Sequence, residues 1–197
     1  MANLKPVAEL SRGGLALLMC VCWLAPMGRP LPAAQKSFDE YEVKAVFLFN
    51  FVQFVKWPAA AFDRTDSPIR IGVLGDDPFG AALDKTIKGE SVGGRKLIVQ
   101  RSRRPEDLNR CHLLFISASE KNRLPEILAG LKGGSVLTVS EIDQFAQRGG
   151  VINFFLEGNR VRFEINRDEA QRRGLEISAQ LLKLGRVVNT VAQKEGG

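Results

Sequence analysis

Residues 69–87 read IRIGVLGDDPFGAALDKTI, and the change of period inside them decides the fold. IRIGVLG is a short run rich in Ile, Val and Leu, the signature of a strand buried on both faces. After the turn at Gly75-Asp76-Asp77, Pro78 fits the first position of a helix over 78–87. The strand-like signature recurs in KLIVQRS (96–102), CHLLFIS (111–117) and SVLTVSE (135–141), with helical candidates at 106–109, 118–131 and 141–148. Alternating strands and helices predict right-handed βαβ crossovers. The expected class is therefore α/β, a mostly parallel sheet with helices on both faces.

Towards the C-terminus the alternation stops. GGVINFFLEGNRVRFEIN (149–166) predicts an antiparallel hairpin at one side of the sheet. In it Ile152, Phe154 and Leu156 match Val161, Phe163 and Ile165 on one face, and Gly158-Asn159 turns the chain. The other face carries Asn153, Arg162 and Glu164. Asn166 followed by Glu169 three residues later is a capping box for a short helix, which Gly174 can close. SAQLLKLGRVVNTV (178–191) predicts a last helix with Leu181, Leu184 and Val188 along one face.

Upstream of the sheet lies KAVFLFNFVQFVKWP (44–58), part of a helix expected over 39–56. At ~100° per residue its polar residues Asp39, Glu42, Asn50, Gln53 and Lys56 share one narrow stripe, into which Val46 and Phe49 intrude. So narrow a wet stripe means that the helix is covered on most sides, by its own domain or by a second subunit. Trp57-Pro58 ends it, because a proline pushes its predecessor out of α geometry.

The N-terminus reads as an export signal over residues 1–34. Lys5 and Arg12 precede the apolar run LALLMCVCWLAPMG (15–28), which is long enough for a signal core and shorter than the ~20 residues of a membrane span. One folded unit is expected from 38 to 190. Cys20 and Cys22 would leave with the signal, so Cys111 is alone in the exported chain and has no partner for an internal disulfide. Its place at the head of a strand argues for burial.

Composition excludes more than it suggests. The chain has 197 residues, 45% hydrophobic and 25% charged, with a formal net charge of +6. That excess is too mild to imply nucleic acid, and RSRRPEDLNR (101–110) lacks the interleaved aromatics of a base-stacking platform. The single histidine, His112, rules out a histidine-rich metal site. No nucleophile motif is present, and Cys111 and His112 would point to opposite faces of one strand. Asp76-Asp77 sit where a nucleotide loop should welcome phosphate. No catalytic set, metal or cofactor is therefore expected.

Two features exceed what a plain fold requires. Lys44 stands on the apolar side of the first helix, where its stem either reaches an acid or meets a ligand or partner. Lys56-Trp57-Pro58 sets a cation beside an aromatic at the helix end, as core packing or as an anchor.

Taken together, YEVKAVFLFNFVQFVKWP, IGVLGDDPFG, CHLLFIS, VLTVSE, the double-glycine hairpin and GLEISAQLLKLGRVV resemble the YfiR-type periplasmic regulators over nearly all of 38–190. The resemblance implies an exported, non-enzymatic, homodimeric α/β protein of the periplasm. It also implies a partner: the periplasmic sensor domain of an inner-membrane diguanylate cyclase, held inactive so that cyclic di-GMP and biofilm formation fall. Members can carry redox-active cysteine pairs, whereas this exported chain keeps Cys111 alone. The alternative function is a periplasmic small-molecule binder, serving a sensor histidine kinase, with a pocket formed by Lys56, Trp57, Arg162 and Glu164. The residues singled out for ligand or partner contact are Lys44, Lys56, Trp57, Asn153, Arg162, Glu164 and Asn166.

Overall fold

Strand alternation sorts the core into two layers. In a computed structural model, which describes residues 33–190 with side chains from Glu40 onward, the parallel strands are β2 (Ile69–Leu74), β4 (Arg95–Ser102), β5 (Leu113–Ile116) and β6 (Leu137–Ser140). The expected export signal, with Cys20 and Cys22, falls outside the described residues apart from its last two positions. The spatial order β4-β2-β5-β6 continues through β7 (Ile152–Glu157), β8 (Arg160–Asn166) and β10 (Arg186–Val188), with β3 (Ser91–Val92) at the far edge. Pairing is parallel throughout except for β7 with β8 and β3 with β4. This is the expected α/β class.

Odd positions of β2, β5 and β8 such as Ile71, Val73, Leu113, Phe115 and Phe163, joined by the even Phe154 of β7, face one way and meet α1 (Ala33–Phe54) and α2 (Ala81–Ile87). Even positions such as Leu74, Leu114 and Ile116 face the other way, onto α3 (Leu124–Gly130) and Phe145. Helices thus cover both faces, because both faces of the central strands are apolar.

The hairpin has the register read from its sequence: Ile152↔Ile165, Phe154↔Phe163 and Leu156↔Val161. Ile152, Phe154, Phe163 and Ile165 lie on the face that receives α1. Phe47 and Phe51 lie 5.4 and 5.1 Å from Phe163 and 6.1 and 5.6 Å from Phe154, centroid to centroid. Asn166 caps α4 (Arg167–Arg172) by accepting from the Glu169 N–H at 2.9 Å.

The first helix differs at its end. Val55–Lys56 is already extended, as β1, because it pairs with β9 (Glu176–Ile177) before Pro58 is reached. Two other expectations need correction. Residues 141–148 form turns rather than a helix. The Phe145 N–H goes to the Asn153 side chain at 3.1 Å, and Gln144 takes a left-handed φ of 58°, which a helix cannot accommodate. The last helix, α5 (Ala179–Leu184), stops at Gly185. There a Cβ would lie 2.6 Å from Phe163 and 2.9 Å from Ile165, so only glycine lets the backbone settle flat on the sheet. The β-branched Val187-Val188 then continue as the parallel edge strand β10 beside the hairpin.

Cys111 is buried beneath β4, with Sγ 3.8 Å from the Gln100 side-chain oxygen, and burial pushes its thiol up to about 11 from 9.0. An unfolded thiol ionises near the lower value while the folded one stays protonated. Stability is therefore intact below pH 9.0 and falls as pH rises towards about 11.

Two measurements follow. Phe51→Ala should cost about 3–5 kcal/mol in urea unfolding, since it empties the centre of the aromatic cluster. Between neutral pH and the alkaline limit, Cys111→Ala should lose less stability than the parent, by up to about 2 kcal/mol. Equal declines in the two proteins would show that the thiol plays no part.

Candidate functional site

In an open α/β sheet the usual ligand crevice lies at the carboxyl ends of the strands where the winding reverses, here between β2 and β5. That crevice is filled. Gly75, at φ +91°, lies so close to the loop after β5 that a Cβ would sit 2.8 Å from Glu120 Cγ and closer still to Ser119 Oγ. The Asp76 N–H donates to Ser119 Oγ at 3.0 Å. Asp77 binds the Phe79 N–H and Arg101, Asp76 binds Arg103, and Glu120 binds Arg123. These contacts tie the loops after β2 and β5 to each other across the crevice. Among the described residues no cluster of three or more His, Cys, Asp or Glu side chains could hold a metal.

Lys44 is buried, and its ammonium contacts Glu40 and Glu141 at 2.5 Å each and lies 4.6 Å from the centre of the Tyr41 ring. Tyr41 donates to Glu141 at 3.0 Å; burial, then that carboxylate, push its phenol pKa upward. The cluster ties α1 to the segment after β6. Removing one partner from such a buried group is costly, which makes it a fastening.

Trp57 is half-buried and donates its indole N–H to the His112 carbonyl at 3.1 Å. Lys56 beside it is exposed, and its backbone pairs with Glu176. The cation–aromatic contact in this region joins different residues, Arg95 stacked 3.8 Å over Phe62, which in turn stacks on His112 at 4.5 Å. His112 Nδ1 accepts from the Arg70 N–H, and burial lowers its pKa.

Asn153 accepts from the Phe145 N–H and donates to the carbonyls of Ser140, Ile142 and Phe154. Asn166 donates to the Ala146 carbonyl and to Thr190. The two asparagines pin the 141–149 turns to the hairpin. Arg162 pairs with Glu157 at 3.5 Å, and Glu164 accepts from Gln147 at 2.8 Å and from Arg186 at 3.3 Å.

These positions do not converge. Phe163 and Ile165 face α1, so Arg162 and Glu164 project from the opposite face of the sheet, away from Lys56 and Trp57. The pocket that would have joined the four residues is absent from the geometry.

What the sequence left unmarked is a surface. Of the six exposed large apolar side chains among the described residues, five are Val43 and Val46 on α1, Leu156 on β7, Leu184 on α5 and Val187 on β10. Leu156 pairs with Val161 and Val187 with Ile165, which puts both on the face that α1 covers. α1 touches both α5 and β8. Val46 intruding on the polar stripe was the one visible sign. No described helix is long and apolar enough to cross a membrane.

Comparison with known proteins agrees with this architecture. A crystal structure of a conserved domain protein from Vibrio cholerae superposes with a TM-score of 0.51 at 10% identity, covering 75% of this chain and 59% of that one. The likeness is one of fold, and this chain spans 59% of that protein's length. The profile of the YfiR/HmsC-like family, whose character is regulatory, matches residues 41–186. From the first helix to the edge strand, the chain belongs to the YfiR/HmsC-like family.

Proposed function

We propose that the protein is an exported periplasmic regulator. It binds the periplasmic sensor domain of an inner-membrane diguanylate cyclase and represses it, lowering cyclic di-GMP and biofilm formation. Family membership supports the regulatory role. The observation that carries a contact-based output is the gathering of exposed Val43, Val46, Leu156, Leu184 and Val187 on one side of the sheet, while the usual ligand crevice is filled. Several large apolar side chains left exposed on one side of a folded domain favour an interaction site there. Homodimerisation belongs to the same proposal, with Val43 and Val46 of α1 meeting a second copy.

Of the sequence candidates, Lys56 retains an exposed charged head that can rim a contact, while Arg162 lies on the opposite face of the sheet. Lys44, Trp57, Asn153 and Asn166 act in this reading by holding α1 and the hairpin in place.

Val187→Asp should retain the parent melting temperature, because that side chain is exposed and lies outside the contact assigned to the second copy. It should lose co-purification with the membrane cyclase and raise cyclic di-GMP to the level of a deletion strain. Light scattering should give a dimer for the parent and a monomer for Val46→Asp. Failure of the parent to capture any membrane partner, with cyclic di-GMP unchanged on deletion, would sink the reading.

A further inference from the structure

The opposite face of the molecule carries a groove of about 720 Å³ between α3, the 144–149 turns and α4. That volume is within the range of small-molecule sites. Its apolar wall comes from α3, with exposed Pro125 and Ala129 and the edge of Leu128 over the buried Leu124. Its charge is unbalanced. The one carboxylate in the lining, Glu169, is already taken by Arg172 at 2.7 Å and Arg173 at 2.8 Å. Arg173 is itself buried, and its guanidinium also donates to the Leu131 carbonyl, which fixes α4 to the end of α3. Lys132 and Arg148 also line the groove, are exposed, and pair with no carboxylate among the described residues. Gln144, on the same wall as Arg148, is the only non-glycine in the left-handed region among the described residues, and such strain gathers at binding sites.

We propose that this groove binds a small amphipathic carboxylate, its apolar body on Pro125, Leu128 and Ala129 and its charge met by Lys132 and Arg148. An apolar wall with a few convergent polar groups suits such a molecule, and two cations with no carboxylate partner among the described residues supply the attraction for its head. The site is separate from the surface assigned to the cyclase and stands whether or not that assignment holds.

Octanoate is the probe, with octanamide as its uncharged match, in titration calorimetry on the purified full chain. Octanoate should bind at millimolar concentration or below, and octanamide at least about tenfold more weakly. Lys132→Glu combined with Arg148→Glu should weaken octanoate by at least about tenfold while leaving the unliganded melting temperature unchanged. No heat of binding for octanoate, equal affinity for octanamide, or undiminished binding by the charge-reversed variant would each overturn the proposal.

Discussion

The seating of α1 on the hairpin is the interaction on which the other parts depend. Phe47 and Phe51 enter between Phe154 and Phe163, and Lys44 is fastened to Glu141 beyond the end of β6. The aromatic contacts supply non-directional burial; the ion cluster supplies register, since a buried ammonium tolerates few positions. Without α1 the apolar residues on this face of the hairpin would be bare. The closing segment depends on it too, because Ser178 donates its N–H to the Phe54 carbonyl and β1 pairs with β9. A helix fixed so firmly on its inner side is free to carry Val43 and Val46 on its outer side, at 44% and 48% exposure.

Periodicity made the layers legible. The short β-branched runs gave the parallel strands, the alternation in 149–166 gave the hairpin register, and Asn166 with Glu169 gave the cap. The failures share a cause. The 141–148 segment has a helical pattern, but the Asn153 side chain competes for the Phe145 N–H through a contact eight residues away. The last helix was overrun because Gly185 looks like a tolerable helix residue until Phe163 and Ile165 are placed against it. Lys44 could be recognised as needing an acid, and Glu40 is near in sequence. Glu141 is 97 positions distant, so no local pattern reveals it. The candidate pocket failed for the same reason: whether Trp57 and Arg162 share a face is decided by which sheet face α1 covers.

The filled crevice explains why a fold so often used for nucleotide chemistry is turned outward here. Ser119 and Glu120 crowd against Gly75 at the crevice mouth, and Asp76 and Asp77 pair with Arg103 and Arg101. Closing that site removes the usual place for small-molecule binding and leaves the two outer surfaces, one apolar and one grooved.

Those surfaces are joined through the sheet edge by direct contacts. Gln147 lies in the groove wall and donates to Glu164; Glu164 also binds Arg186, whose guanidinium stacks 4.8 Å over Phe155. Arg186 opens β10, the strand that carries Val187 to the apolar side. On the other flank, Thr190 lines the groove and is held by Asn166, the cap of α4. The 144–149 wall is therefore bonded to the residues around the edge strand at two points, through Glu164 and through Asn166. A three-residue strand with one paired side has few ladder bonds of its own, so these side-chain ties help to hold it, and Val187 with it, beside the hairpin.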